Sequence, residues 1–392
     1  MSFLSKSKKK GFKLGVAALL LSLVFTIAVV GAGCPPAAPE VASPYRTDKI
    51  VIGFTPPDIT GVFKTATDFF IESAANARAA GIHVEIIARS PATHTAYADQ
   101  VAIIEDFIAL EVDVIAISPA DVAAVTPALQ KANAAGIPII VVNLLGPFEG
   151  VEVASYVGFD NFTAGAVTAY SVLDYFGGPG VLGAGPMVEV TPLDSLDLAW
   201  WEALYADVDP ATINARGILL EGVPGSYFSD ARLRGFRSVL EQFPGVVELQ
   251  PVVGTNWNRA LAMAATEDAL VSFAPGEMDF VWGMSSEIGL GAMLAVEAAG
   301  RQEDVKVFNQ GGTSESMSRI REGRLVAEAW HGFPEWGWFG VKHAVMAVLG
   351  LEPPATLDVR PRILYVDNLV QFTPVPYLPE IDWEAILQEA GL

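Results

Sequence analysis

Cysteine is nearly absent from this sequence: Cys34 is the only one among 392 residues. No intramolecular disulfide can form, so the fold must be held by its core. Histidine is almost as scarce. His83, His94, His331 and His343 fall on separate elements with no H-E-x-x-H or comparable spacing, so neither a metal nor any other cofactor is expected. No G-x-S-x-G nucleophile elbow is present. The run GVLGAG at 180–185 has glycines spaced like a dinucleotide loop but lacks the strand, helix and distant acid, and it reads as a flexible turn. Carboxylates abound, yet abundance alone does not make a glycosidase pair. No catalytic residue is therefore assigned, and the chain is read as a non-enzyme. Basic side chains are few, 24 against 45 acidic, for a net charge of −21. Such a surface repels phosphate backbones, which excludes nucleic acid as a partner. Long apolar runs are limited to one, from Leu14 to Val30, so no second membrane span is expected.

That run carries the first positive signal. Lys6, Lys8, Lys9, Lys10 and Lys13 precede it, and Gly31, Ala32, Gly33 and Cys34 follow. A basic segment, an apolar segment and a small-residue cleavage site form an export signal. The pattern resembles the bacterial lipoprotein signal, which implies cleavage after residue 33 and acylation of Cys34. Gly31 stands where a leucine is usual, and Pro35 follows the cysteine; an uncleaved anchor and a plain signal peptide are the alternatives. Pro35, Pro36, Pro39 and Pro44 make 34–48 a flexible tether. The expected location is the outer face of the cell membrane or the periplasm, lipid-anchored. With the five signal lysines set aside, 19 basic face 45 acidic side chains, or −26.

Beyond the tether, 52% hydrophobic content over the chain argues for packed cores, and the length suits two domains. Short β-branched runs alternate with longer stretches of helical period, the pattern of parallel βαβ units. Strands are expected at 49–55, 83–89, 112–118 and 137–143, separated by helices at 62–80, 97–110 and 122–135. A second set follows a strand near 154–158. It has helices at 161–176, 230–242, 257–272 and 286–299, with strands at 217–221, 246–253, 280–283 and 305–308. The fold class is α/β, two doubly wound Rossmann-like lobes joined by a hinge with a ligand cleft between them. In open α/β sheets ligands sit beyond the carboxyl ends of the strands, here Thr55, Ser118, Asn143, Glu221, Gly283 and residues 309–313.

The units resemble the periplasmic sugar-binding family typified by ribose-binding protein, the type I solute-binding fold of ABC importers, over roughly 49–351. The most specific points are VDVIAISPADVAAV with ANAAGIPIIVVN, then VGFDNFTAGA, the R-x-x-G-F motif at Arg232, Gly235 and Phe236, and SSEIGLGAMLAVEAAG. The resemblance implies a first lobe of 49–159 plus about 332–353 and a second of 160–331 plus about 354–392, with an insertion at 177–216. It also implies ligand positions at Ser118, Asn143, Arg232, Trp257, Ser285, Asn309 and Gln310. Asp58 and Phe63, with Thr60 and Lys64, are candidates from an enlarged first loop, and His331 is the polar side chain nearest a family glutamine. Departures are Asn143-Leu144 where the family has Asp-Arg, and Gly311 where it has an acid.

Amides, a guanidinium and carboxylates suit adjacent hydroxyl pairs, and a tryptophan face suits the C–H side of a sugar ring. The expected function is capture of a small sugar or polyol and its delivery to ABC permease transmembrane subunits by a monomer. A receptor for a signalling furanosyl compound or nucleoside, and an exported glycoside hydrolase, are the alternatives. Bland readings stand beside these residues. Ser118 precedes Pro119 and fits a cap, Asn143 fits a turn, and Trp330, Trp336 and Trp338 fit hinge or core packing.

Overall fold

Glycine-bounded apolar runs and amphipathic stripes fold, in a computed structural model describing 45–392 apart from 147, 184–187, 192–193 and 373–377, into two sheets. The expected signal over 1–33 and the acylated Cys34 lie outside the described residues. The first half runs β1 (Ile50–Thr55), α1 (Gly61–Ala79), β2 (Val84–Ala88), α2 (Tyr97–Ala109), β3 (Val114–Ile117), α3 (Val122–Ala134), β4 (Ile139–Val142) and β5 (Ser155–Gly158). Its strands lie in the order β12-β5-β4-β3-β1-β2, all parallel, where β12 is Thr356–Asp358. Every residue of β3 and β4 is buried, as helices on both faces require. The α1 stripe of Phe63, Ala66, Phe70, Ala74 and Ala77 is buried against this sheet. Gly81 ends the turn after it at φ +90°, the left-handed conformation that glycine adopts without strain.

The second half runs α4 (Asn161–Tyr175), α5 (Leu198–Tyr205), β6 (Ala215–Glu221), α6 (Tyr227–Leu240), β7 (Val246–Glu248), β8 (Val253–Gly254), α7 (Arg259–Ser272), β9 (Phe280–Gly283), α8 (Ser286–Ala298), β10 (Lys306–Gly311), α9 (Ser314–Arg321) and β11 (Ala327–Trp330). There follow α10 (Phe333–Val348), β12, β13 (Arg362–Leu364) and α11 (Trp383–Glu389). The second sheet has the order β13-β11-β10-β9-β6-β7, with β8 on β6, and only β13 is antiparallel. The chain crosses between sheets three times, after β5, after β11 and between β12 and β13. This is the expected two-lobed α/β architecture, with the crossings as its hinge.

Three expectations need correction. The tail from 354 does not stay with the second lobe: β12 pairs with β5, β13 pairs with β11, and Trp383, Ile386 and Leu387 pack in the first core. The tail is short of helical period until its end, so no sequence signal separated its parts. The end of the tether is docked, because the Arg46 amide donates to Gly81 O at 2.7 Å and Thr47 Oγ1 accepts from the His83 amide at 3.0 Å. The strand expected at 246–253 is broken into β7 and β8, since Pro251 has no N–H for the ladder. In the insertion, α5 carries Trp201 into the second core, where its indole donates to Leu196 O at 3.1 Å. Trp200 packs edge-on against Trp201 at the margin of this core.

Candidate functional site

The carboxyl ends of the two sets of strands face a cavity lined from both lobes, the place where open α/β sheets hold ligands. The first lobe contributes Asp58, Thr60, Phe63, His94 and Asn143; the second contributes Arg232, Trp257, Ser285, Ser286 and Gln310. His331 and Phe333, at the second crossing, form part of the wall. Phe228, at the start of α6, packs with Leu144 and Phe148 of the first lobe, so the lobes touch around the cavity.

Arg232 is the centre of this arrangement. It lies in the second turn of α6, not at its head, because Ser226 caps the helix earlier than expected by accepting from the Ser229 amide. Its Nε donates to Asn161 Oδ1 at 2.8 Å and its Nη1 to Met284 O at 2.7 Å. Asn161 in turn donates to Asn143 O at 3.4 Å, so the guanidinium is tied to the first crossing. The Trp257 and Phe159 rings lie beside it, at 5.2 and 5.7 Å from Cζ to their centroids, within cation–π range. Burial pushes its pKa down to about 9, which still leaves a cation at neutral pH.

Trp257 sits at φ +59°, directly after Asn256 at φ +51°, and Asn143 sits at φ +78°. Such left-handed backbone at non-glycine residues is a strain concentrated at functional sites. Trp257 is half-buried and lies so close to Gly222 that a Cβ there would fall 2.0 Å from its ring. His331 stacks on Phe159 at 4.1 Å, and its Nε2 has no partner. Burial, with Arg232 beside it, holds this imidazole well below its ordinary range and therefore neutral. Gln310 donates to Ala164 O and Thr168 Oγ1, which leaves its Oε1 without a partner. Both residues belong to the cavity wall.

On the opposite wall His94 Nε2 meets Asp58 at 2.8 Å. Burial pushes the Asp58 carboxyl up, but His94 and the Thr60 amide outweigh it and hold it below its usual range. Phe63 packs against His94 and Phe333. Ser285 lines the cavity while capping α8 through the Ile288 amide.

Two expected positions stand behind the wall. Ser118 is fully buried, accepting from Asn143 Nδ2 at 3.2 Å through Oγ and from Gln100 at 2.9 Å through its carbonyl. Asn309 alternates with Gln310 along β10, so its side chain turns inward, donating to Glu328 at 3.2 Å. Lys64 pairs with Asp68 on the exposed face of α1. Sequence reasoning missed His94, Ser286, Glu287, Phe333 and Phe228. His94 follows β2, whose carboxyl end was left out of account.

Glu328, also missed, orients the second-lobe wall. It accepts from Ser286 Oγ, Ser316 Oγ and Asn309 Nδ2. Burial pushes it up to about 7, against the pull of the two hydroxyls and the Gly312 amide. The folded protein therefore holds a proton that the unfolded chain, near 4.5, releases. Its contribution to stability is complete below pH 4.5 and is lost as pH rises through 7. Glu328→Gln, which keeps the shape without titrating, should remove roughly 3 kcal/mol of this fall between pH 4.5 and 7.5. Urea denaturation of both proteins at those two pH values measures it; parallel changes would contradict the assignment.

A family model described as a periplasmic binding protein domain matches residues 52–352. The ribose import binding protein of Bacillus subtilis is 25% identical over 228 residues, 58% of this chain and 60% of that protein. The fructose import binding protein of Bifidobacterium longum is 24% identical over 320 residues, 81% and 83% of the two. The matched part spans 60% of the B. subtilis protein and 54% of the xylitol-binding protein of Mycolicibacterium smegmatis. Among solved structures, an ABC transporter solute binding protein from Bacillus halodurans with bound myo-inositol superposes with TM-score 0.65 at 23% identity, covering 83% of this chain and 97% of that one. One from Actinobacillus succinogenes with bound D-allose gives 0.65 at 21%, covering 82% and 99%. With the family match extending over residues 52–352, the two-sheet chain built around this cleft belongs to the periplasmic binding protein domain family.

Proposed function

We propose that this protein is an extracytoplasmic substrate-binding lipoprotein of an ABC importer. It captures a small polyhydroxylated ligand, a monosaccharide or sugar alcohol, by closing its lobes and delivers it as a monomer to the transmembrane permease subunits. Acylated Cys34 would hold it at the membrane. The observation that carries this reading is the interlobe cavity, lined by Arg232, Trp257, Gln310 and His331 together with Asp58 and His94 of the first lobe. Names of relatives that import ribose or fructose, and neighbours holding myo-inositol or D-allose, support it. Reversible capture fits better than turnover, because the lining carboxylates Asp58 and Glu287 are each engaged, by His94 and Arg259.

The test is a thermal-shift panel of pentoses, hexoses, polyols, sugar acids and nucleosides. A ligand at 100 times its Kd adds about 2.7 kcal/mol and should raise Tm by several degrees. No shift with any compound, or turnover of a chromogenic glycoside, would refute the reading.

A further inference from the structure

A guanidinium carries five N–H donors. In Arg232, Nε is spent on Asn161 and one Nη1 proton on Met284 O. Three donors remain, one on Nη1 and two on Nη2, and the side chain lines the cavity with rings of Trp257 and Phe159 beside it. Both protein acceptors are neutral. Among the described residues no carboxylate pairs with Arg232, which is 5% exposed.

The other charges facing the cavity are committed. Asp58 is engaged by His94 at 2.8 Å, and Glu287 by Arg259 at 2.8 and 3.0 Å. His331, the neighbour of Arg232, is neutral. Arg232 is thus the cation of the cavity without a counter-charge. A buried charge is costly unless it is paired. Hydroxyls of a neutral sugar can accept from the three donors but leave the charge standing. A carboxylate takes two parallel N–H bonds and cancels it.

We propose that the ligand carries one carboxylate docked against Arg232, so that the preferred class is a sugar acid, an aldonate or a uronate. This rests on the capture reading above and narrows it. The Trp257 face then receives the C–H side of the ligand, with Gln310 and His331 on the cavity wall beside its hydroxyls. A phosphorylated sugar fits less well, since a dianion calls for a second cation and Arg259 is held by both Glu287 and Glu315.

Isothermal titration of the purified protein tests this with matched series: glucose, glucitol, gluconate, glucuronate and the methyl ester of glucuronate, and the same for galactose and xylose. The expected result is that an acid binds roughly 30-fold or more tightly than its neutral partner or ester, the margin of charged over neutral hydrogen bonds across a bidentate contact. A neutral sugar or ester binding as tightly as its acid overturns the carboxylate assignment and leaves the capture reading in place. Failure of every compound overturns both.

Discussion

Arg232→Met should lower ligand affinity by roughly 100-fold, about 3 kcal/mol, while moving the Tm of the ligand-free protein by only a few degrees. The two effects separate because the guanidinium serves ligand and fold unequally. Toward the ligand it offers three donors and a charge in a site shielded by Trp257 and Phe159. Toward the fold it offers two bonds, to Asn161 Oδ1 and Met284 O, each worth about 1 kcal/mol. Burying its unpaired charge offsets that gain. Methionine fills the same slot and packs well against aromatic edges. Titration calorimetry and thermal melts with and without ligand measure both quantities. Full affinity in the variant would remove Arg232 from the site, and a collapse of stability without ligand would make it a structural residue.

Gly235→Ala should cost about 3 kcal/mol, a Tm loss of roughly 5–10 °C, although the same change in an open helix stabilises by about 1 kcal/mol. The sign reverses because α4 and α6 touch backbone to backbone. A Cβ on Gly235 would lie 1.8 Å from Phe162 O, and one on Gly165 would lie 2.0 Å from Arg232 O. Carbonyls cannot rotate away as side chains do, so the helices must part. Gly165→Ala should act alike, and the double variant should cost less than the sum because both glycines serve one contact. Since α6 carries Arg232 and α4 carries Asn161, separation also breaks their 2.8 Å bond and weakens ligand binding. Denaturant melts of the three variants check the prediction; unchanged or raised stability would show that the helices yield freely.

The glycine of the R-x-x-G-F motif illustrates how far a sequence speaks. The motif could be located by inspection, and its arginine assigned to the cleft through family resemblance. That its glycine permits two helices to meet could not be seen, because Phe162 lies 73 positions away. The β-branched runs of β1, β3 and β4 were legible for a local reason: burial on both faces demands apolar residues at every position. So were the helices with a continuous apolar stripe, and the ends of strands as ligand positions. Asn143 and Gln310 were named in this way, whereas Trp257 and His331 came from the family resemblance.

Periodicity says nothing about which strand pairs with which when the runs are three residues long, and so the division of β12, β13 and α11 between the lobes waited on the fold. The same limit applied to Ser118 and Asn309, whose distance from the ligand space depends on side-chain direction at a strand end, and to His94 and Glu328. By itself the sequence determined the fold class, the two-lobed plan and the polar character of the cleft, because local burial patterns carry them. Only the tertiary structure decided which cation is left unpaired. Charge compensation depends on distances between segments far apart in the chain: Asp58 could have faced Arg232, and instead it faces His94.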